Sequence, residues 1–258
     1  VNNRVFLLSN EPSIYEYIDS TGWKLFASSS DIGNQPNKLI YQGAFYILCK
    51  GDNRIYKLNS GTWGIEKSGS DLGITIESIE SFGGNLFVCG SGTIYKKESG
   101  SWVKKADASS GEIGSEVSQL SVVDSRLWAI SGSALWEMQS DETWSIFNTF
   151  AESLTSIGIY NGSLFTTSSD HLFKFVEAET IWDTEITFNS PLKDVIYTSS
   201  GINLLTSSLL FYDGSSSTIE TFSFLEEEDT SIDSILLYPF DGSIWILNRP
   251  SNLIYVTN

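Results

Sequence analysis

The chain has 258 residues, of which 32 are acidic and 15 are basic, and its formal net charge is −17. A negative field of this size repels phosphate backbones, so the composition disfavours a general nucleic-acid-binding role. No apolar run approaches the roughly 18 residues that a membrane helix needs, and no signal peptide is visible, although Val1 is compatible with a leader that has been removed.

The predicted elements, taken in chain order, are short strands bounded by Gly, Ser, Asn and Asp. An aromatic residue recurs about every 40 residues just inside one strand of each repeat. This series is Tyr15, Tyr56, Tyr95, Trp136, Phe173, Phe211 and Tyr255. A second series, one strand earlier, is Phe6, Tyr46, Phe87, Trp128, Phe165, Leu204 and Trp245, and a third, one strand later, is Trp23, Trp63, Trp102, Trp144 and Trp182. Repeats of this length built from strands alone predict an all-β fold, the β-propeller.

The clearest repeat contains four strands, which we name A to D in chain order. Strand A is Glu77–Phe82, strand B is Asn85–Cys89, strand C is Thr93–Lys97 and strand D is Trp102–Lys105. Strand B is almost continuously apolar, which is typical of a strand that is covered on both faces. The Trp that opens strand D is predicted to be buried as a wedge between neighbouring blades.

Counting the strands predicts a single propeller domain over residues 1–258 whose first and last blades are incomplete. The chain opens with strands B, C and D, from Val5 to about Ala27, and closes with strands A, B and C, from Ile232 to Val256. This gives 26 strands, where seven four-stranded blades need 28. We favour seven blades of about four antiparallel strands. The alternative is six blades, with the last one built from both ends of the chain. Open strand edges at the join are liabilities that something has to cover.

The aromatic spacing resembles the repeats of the Kelch propeller family, which have a Gly before strand B and a Tyr followed by a Trp in strands C and D. The matching residues are Gly43, Tyr56 and Trp63 in one repeat and Gly84, Tyr95 and Trp102 in the next. The Gly-Gly doublet that Kelch repeats carry after strand B is missing. The C–D turns also resemble Asp-box turns, most closely at residues 19–23. The resemblance covers the whole chain and implies a Kelch-like, Asp-box-like propeller of short blades.

No residue pattern indicates a catalytic centre, a metal site or a cofactor. His171 is the single histidine, so a histidine metal site cannot be built and a catalytic triad would have to use this residue. No glycine-rich phosphate loop opens a helix. Cys49 and Cys89 fall at nearly the same point of consecutive repeats, too far apart for a disulfide, and we predict that both are buried free thiols.

The loops between strand D and the next strand A carry candidate binding residues. Three of them contain an acid–aliphatic–glycine triplet: Asp31-Ile32-Gly33, Asp71-Leu72-Gly73 and Glu112-Ile113-Gly114. The acids either ring a site for a cation, an amine or a basic peptide, or cap backbone N–H groups while the aliphatic residue plugs the rim; we favour the second interpretation. A surrounding recognition surface is expected on the longer loops. The candidate binding residues are Asp31, Gln35, Asp71, Ser109, Glu112, Glu227 and Asp229.

The function predicted from these observations is non-enzymatic binding of a protein or glycan through loops on one face of an extracellular propeller, on a cell surface or a virion. The sequon Asn161-Gly162-Ser163 gives weak support to secretion. One alternative is a structural subunit of a larger assembly, packed through the seam between the first and last blades. Another is a glycan-active hydrolase or lyase that uses carboxylate pairs.

Overall fold

The structure is a computed structural model, and it describes residues 5–9, 13–18, 22–198, 200–206, 209–215, 217–220, 235–240, 243–248 and 253–256. The strands described form seven antiparallel sheets, and each sheet follows the chain order of its strands. Helical structure in the described residues is limited to one turn of α-helix, Gly69–Leu72, and one 3-10 turn, Ala108–Ser110. The fold is therefore all-β, as predicted.

The chain divides into two compact units, Val1–Ala151 and Glu152–Asn258. Sheet 1 of the first unit contains β1 Val5–Ser9, β2 Ser13–Ile18 and β3 Gly22–Ala27. Sheet 2 contains β4 Pro36–Tyr41, β5 Phe45–Cys49, β6 Arg54–Asn59 and β7 Thr62–Ser68. Sheet 3 contains β8 Ser78–Phe82, β9 Asn85–Gly90, β10 Thr93–Glu98 and β11 Ser101–Asp107. Sheet 4 contains β12 Val117–Val123, β13 Arg126–Ser131, β14 Ala134–Met138 and β15 Trp144–Thr149.

The second unit contains the remaining three sheets. Sheet 5 contains β16 Leu154–Tyr160, β17 Ser163–Ser168, β18 His171–Val176 and β19 Ile181–Thr187. Sheet 6 contains β20 Asp194–Tyr197, β21 Ile202–Leu205, β22 Leu209–Tyr212 and β23 Ser217–Glu220. Sheet 7 contains β24 Ile235–Phe240, β25 Ser243–Asn248 and β26 Leu253–Val256. The described strands thus number 26, with three-stranded first and last sheets, as the sequence predicted. The number of blades in a ring, and a single domain over 1–258, stay predictions.

Alternate residues of the second strand in each sheet enter different cores, which explains the apolar character of strand B. In β5, Ile47 and Cys49 belong to a core cluster with sheet 1, whereas Tyr46 and Leu48 belong to a cluster with sheet 3. All four side chains are buried. Because both faces are covered, the strand has no position for a polar side chain.

The tryptophans at the start of strand D pack against the preceding sheet, although not all of them are buried. Trp63 packs against the cluster of sheets 1 and 2, and Trp102 packs against the cluster of sheets 2 and 3. Both are only partly buried, so the predicted burial holds in part for these two, whereas Trp144 is buried.

One position in the second aromatic series was assigned wrongly. The strand B aromatic pairs with the residue that follows the strand C aromatic, as Phe165 does with Lys174. In sheet 6 this position belongs to Ile202, opposite Tyr212, whereas Leu204 pairs with Leu210. Strand B of this sheet has no aromatic residue to mark the position. Extrapolating the regular spacing of the repeats therefore placed the position two residues too late, at Leu204 instead of Ile202.

Both cysteines are free and buried, as predicted. Cys49 lies in the core between sheets 1 and 2, and Cys89 lies in the core between sheets 3 and 4. Burial raises the pKa of each thiol to about 12.

Candidate functional site

The loops that precede strands A and the turns that follow strands B are joined into one surface in the first unit. We call this surface the loop face; it consists of residues 28–35, 50–53, 69–77, 91–92, 108–116 and 132–133. Backbone groups connect its segments, since Lys50 N donates to Gln35 O at 3.0 Å and Ala108 N donates to Gly92 O at 2.8 Å. The hydroxyl of Ser91 accepts from Thr75 N at 3.0 Å. The loop face is therefore held in one arrangement by its own hydrogen bonds.

Two of the predicted acids cap the start of their own loops. Asp31 Oδ2 accepts from Ser28 N at 2.9 Å and from Ser28 Oγ at 2.7 Å. These two hydrogen bonds, the backbone one first, lower the pKa of Asp31. Asp71 and Ser68 form a capping box on the short helix, in which Asp71 N donates to Ser68 Oγ at 3.2 Å. The hydrogen bonds from Ser68 lower the pKa of Asp71 as well.

Glu112, the third acid, also caps the start of its loop, and the capped residue lies five positions earlier in the chain. Glu112 Oε2 accepts from Asp107 N at 3.1 Å, and Asp107 in turn accepts from Ser109 N at 2.9 Å and Ser109 Oγ at 2.7 Å. Lys104 donates to Asp107 at 2.6 Å and, with Ser109, lowers the pKa of that carboxyl to about 2. The carboxylates of Asp31, Asp71 and Asp107, whose pKa values are lowered, therefore stay ionised at neutral pH.

The aliphatic residue of each triplet is buried beneath its loop. Ile32, Leu72 and Ile113 are all buried, and each belongs to the core of its own sheet pair. The capping geometry and this burial agree with the interpretation that the triplet is a turn motif.

The other candidate binding residues lie at the edge of the loop face or outside the described residues. Gln35 is exposed and has a φ of 53°, and Ser109 is exposed on the 3-10 turn. Glu227 and Asp229 lie outside the described residues. A binding role for Asp31, Gln35, Asp71, Ser109 and Glu112 stays a prediction.

Asp52 is a residue of the loop face that the sequence analysis missed. Its carboxylate accepts from Asn34 Nδ2 at 3.1 Å and from the Tyr56 hydroxyl at 3.2 Å. Burial is the main cause that raises the pKa of Tyr56, and the charge of Asp52 adds to it. The sequence signal was the Gly-Asp pair in the turn after strand B, a position where Asp side chains commonly bond to nearby backbone.

Asn53, next to Asp52, is the second missed residue, and it connects two loops. Its Oδ1 accepts from Ile76 N at 2.7 Å, its Nδ2 donates to Ile74 O at 3.0 Å, and its carbonyl accepts from Gly69 N at 2.8 Å. The φ of Asn53 is 54°, a left-handed conformation that Asn tolerates better than most residues. Asn53 thus fixes the loop 69–77 to the turn 50–53.

The loop face is strongly negative. Its six acids are Asp31, Asp52, Asp71, Glu77, Glu112 and Glu116, and its segments contain one basic residue, Lys50. Lys50 is paired with Glu77 at 2.9 Å. The caps described above hold three of the carboxylates in place, so the surface presents fixed negative charge to an approaching partner.

In the second unit, His171 and Glu152 form a pair at the corresponding ends of the strands of sheet 5. His171 Nδ1 lies 2.5 Å from Glu152 Oε1, and both side chains are half-buried. Ser168 Oγ accepts from His171 N at 3.0 Å and fixes the start of the strand. A His–carboxylate pair of this kind is able to hold and transfer a proton.

Hydroxyl groups form a connected chain between sheets 5 and 6 of the second unit. Thr155 bonds to Thr167 at 2.8 Å, Thr167 bonds to Ser156 at 2.7 Å, and Ser156 bonds to the Tyr197 hydroxyl at 2.9 Å. Burial raises the pKa of Tyr197, which therefore stays protonated at neutral pH.

Within the described residues, no group of three His, Cys, Asp or Glu side chains is placed to bind a metal ion. The described helices include none that is long and apolar enough to span a bilayer.

No protein-family model matches the chain, and no curated protein matches it either. Solved structures, by contrast, do match the chain. A streptogramin B lyase has a TM-score of 0.74 at 12% identity, over 99% of this chain and 91% of that one. The extracellular domain of the putative hybrid two component system BT4673 from B. thetaiotaomicron has a TM-score of 0.73 at 12% identity, over 98% of this chain and 37% of that one. YCF48 bound to D1 peptide has a TM-score of 0.67 at 17% identity, over 95% and 87%.

These similarities identify the fold of this chain as a β-propeller, and at such low identity they show the fold alone. The Kelch-like and Asp-box-like resemblance stays an interpretation of the sequence.

Proposed function

We propose that this propeller is a non-enzymatic binding domain that recognises a basic segment of a partner protein through the loop face. The observation that carries the proposal is the charge of that face, six acids against one lysine, on loops that are hydrogen-bonded to one another. Opposite charge on a partner accelerates the encounter and excludes partners of the wrong sign.

The rigidity of the loop face supports a binding role. Loops that are already ordered lose little conformational entropy when a ligand binds, so more of the contact energy appears as affinity. Asn53 and the caps of Asp31 and Asp71 supply this order before any partner arrives. Loops on a rigid scaffold are also the usual place for recognition residues.

The similar structures agree with this proposal in two respects. YCF48 has been solved with a peptide, and the BT4673 structure is an extracellular domain. We therefore extend the proposal to a location outside the cell or on a surface, where a protein partner is the preferred ligand and a glycan is the second choice.

The test uses a fluorescent lysine-rich peptide, an acidic peptide of the same length and a neutral glycan. Saturable binding of the lysine-rich peptide alone, weakened by salt, is the expected result. Two exposed acids at opposite ends of β12 give a matched pair of variants: Glu116 lies on the loop face, and Asp124 lies beyond the other end of the strand.

Glu116→Gln is expected to weaken binding several-fold, and Asp124→Asn is expected to leave it unchanged. Equal loss in both variants would assign the affinity to net charge alone, and binding of the glycan in place of the peptide would contradict the proposed partner.

An enzyme is the second candidate, and the His171–Glu152 pair is the observation that favours it. A streptogramin B lyase shares the fold, so streptogramin B is the first substrate to assay. Turnover that His171→Ala abolishes, with an unchanged thermal transition, would establish the enzyme. Absence of turnover in the unaltered chain, with peptide binding intact, is the outcome that the leading proposal expects.

A further inference from the structure

The turn that joins β16 to β17 presents a sequence that the proposed binding role does not use. Asn161-Gly162-Ser163 is the one Asn-X-Ser/Thr sequence of the chain in which X is not proline. Sequences of this type are acceptors for N-linked glycosylation, which joins the amide nitrogen of the asparagine to a sugar. Because such sequences also occur by chance, the surroundings of Asn161 decide whether a glycan fits there.

Asn161 and Gly162 are the two central residues of a tight hairpin turn, which the pairing of Tyr160 with Ser163 closes. Their φ angles are 48° and 76°, as a type I′ turn requires, and Asn followed by Gly is the pair that favours this turn. Both residues are exposed, and a Cβ atom at position 162 would meet no atom within 4 Å apart from those of its chain neighbours. The tip of the hairpin therefore has open space for a large substituent.

Tyr160, and not Asn161, connects this hairpin to the next sheet. The Tyr160 hydroxyl donates to Ser200 O at 3.2 Å and to Asp213 O at 3.0 Å. The Asn161 side chain forms no hydrogen bond with any residue that the structure describes. By contrast Gln42, the first residue of the corresponding turn in sheet 2, bonds through its amide to the hairpin of sheet 3. A sugar on Asn161 Nδ2 would thus break no bond of the fold.

This hairpin differs from the other A–B hairpins in its charge. Residues 154–168 contain no charged side chain, although the chain as a whole has a net charge of −17. The corresponding segments of sheets 2, 3, 4, 6 and 7 each contain at least one, namely Lys38, Glu80, Asp124, Asp194 and Asp241. Ile159, two residues before the turn, is 37% exposed. A glycan is bulky and solubilising, so at this turn it would supply the hydration that charged side chains supply elsewhere.

We propose that Asn161 is a site of N-linked glycosylation and that its glycan covers the A–B end of sheet 5. The donor is an oligosaccharide linked to a lipid through pyrophosphate. Asn161 Nδ2 forms a bond to C1 of the first sugar, the bond from C1 to the pyrophosphate oxygen breaks, and the lipid pyrophosphate leaves with the electron pair. The amide gives up one proton to the transferase, and Ser163 supplies the hydroxyl of the acceptor sequence.

The glycan leaves the other end of sheet 5 open. β17 runs for six residues from Ser163 at the turn to Ser168, whose hydroxyl fixes the start of β18 at His171. At about 3.4 Å per residue, these two ends of the strand are roughly 17 Å apart. Glycosylation is therefore compatible with access to the His171–Glu152 pair. Peptide binding by the loop face does not depend on the glycan, so either proposal can fail without the other.

The test is secretion of the full chain, behind a cleavable leader, from a eukaryotic host that attaches N-glycans. Trypsin cuts after Arg126 and after Lys174 and at no residue between them, so a single peptide, 127–174, contains Asn161. We expect most copies of this peptide to carry one glycan. An N-glycosidase acting in water enriched in heavy oxygen should then leave a labelled Asp at position 161, which distinguishes the released glycan from spontaneous deamidation of the Asn-Gly pair.

Two substitutions of Ser163 form a matched pair. Ser163→Ala removes the hydroxyl of the acceptor sequence and is expected to abolish the modification, whereas Ser163→Thr keeps a hydroxyl and is expected to retain it. Asn161→Asp removes the acceptor nitrogen but keeps a residue that tolerates a left-handed φ, so it should leave the turn intact and the peptide unglycosylated. Thermal melting of each variant checks that the fold is kept.

Three results would overturn the proposal. One is an unmodified 127–174 peptide in the secreted parent chain, a result that depends on no variant. Another is equal occupancy in Ser163→Ala and Ser163→Thr, which would assign the sugar to a different residue. The third is the finding of N-glycan only on peptides other than 127–174. Loss of binding of the lysine-rich peptide with the glycan in place would contradict the proposed function alone.

Discussion

Gly33 lies so close to Asp52 that a Cβ atom at position 33 would be 1.8 Å from Asp52 Oδ2 and 2.7 Å from the Tyr56 hydroxyl. The Asp52 carboxylate, in the turn after strand B of sheet 2, therefore leaves no room for a side chain at position 33, the last residue of the first triplet. Gly33→Ala would displace Asp52 from Asn34 and Tyr56, and we expect it to cost about 1–3 kcal/mol of unfolding free energy, as overpacking usually does. Urea denaturation measures this loss.

A double variant tests the assigned cause. Asp52→Gly in the Gly33→Ala background removes the approach of 1.8 Å and leaves only the one of 2.7 Å to the Tyr56 hydroxyl, so the added cost of Gly33→Ala is expected to shrink there. Equal costs in both backgrounds would show that Asp52 is not the obstacle.

Asp31 acts as a cap, so its removal is expected to affect stability. Asp31→Ala leaves the N–H and hydroxyl of Ser28 without this acceptor, and loss of a comparable cap costs about 0.5–2 kcal/mol. Asp124→Asn, at an exposed turn residue whose φ of 50° Asn tolerates well, serves as the comparison for the removal of a charge. A thermal transition of Asp31→Ala that matches the parent chain would contradict the capping role.

Asp107 links stability to pH. Its pKa is lowered to about 2 in the folded chain by Lys104 and Ser109, whereas an unfolded Asp has a pKa of about 3.9. The stabilising effect is therefore complete above the unfolded value and disappears as the pH falls from about 4 towards 2. We expect the difference in melting temperature between the parent chain and Asp107→Asn to be constant from pH 7 to pH 5 and to shrink below pH 4. A difference independent of pH would contradict this assignment.

The repeated side chains explain how much of the fold could be predicted from the sequence. Strand B residues such as Ile47 and Leu48 are apolar because a neighbouring sheet covers each face of the strand, and this requirement recurs in each repeat. The same regularity allowed the strand order of the incomplete first and last sheets to be predicted. It failed at Leu204, where the strand lacks an aromatic residue and the register depends on the length of the turn.

The candidate site could be predicted only in part, because its contacts join residues far apart in sequence. The capping of the Ser28 N–H by Asp31 is local, and the triplet pattern predicted it. The roles of Asp52 and Asn53 depend on the meeting of a strand B turn with loop residues distant in sequence, namely Asn34, 18 residues before Asp52, and Ile74, 21 residues after Asn53. The Gly-Asp pair marks the turn but does not indicate which residues Asp52 and Asn53 contact, and nothing in the sequence indicates the approach of Glu152 to His171.

The two thiols are expected to be inert in the folded chain. Burial raises the pKa of Cys49 and Cys89 to about 12, so neither has an appreciable thiolate fraction at pH 8. A maleimide reagent should modify neither residue in buffer and both in denaturant, as mass spectrometry can count. Rapid labelling of either cysteine without denaturant, or a mass two hydrogens lower under non-reducing conditions, would contradict their assignment as buried free thiols.

Gly158 is expected to be indispensable for packing in the second unit. A Cβ atom there would be 2.2–2.5 Å from three atoms of the Tyr197 ring, which also bonds to Ser156 through its hydroxyl. Gly158→Ala therefore has to displace Tyr197 and break that bond, and the expected loss is about 2–4 kcal/mol from overpacking and an unpaired buried hydroxyl. Gly64→Ala is the matched control, because Gly64 also lies in a strand and a Cβ there meets nothing within 4 Å. Equilibrium unfolding of both variants separates a steric effect from the general effect of replacing a strand glycine, and a loss for Gly158→Ala no larger than that for Gly64→Ala would contradict the contact with Tyr197.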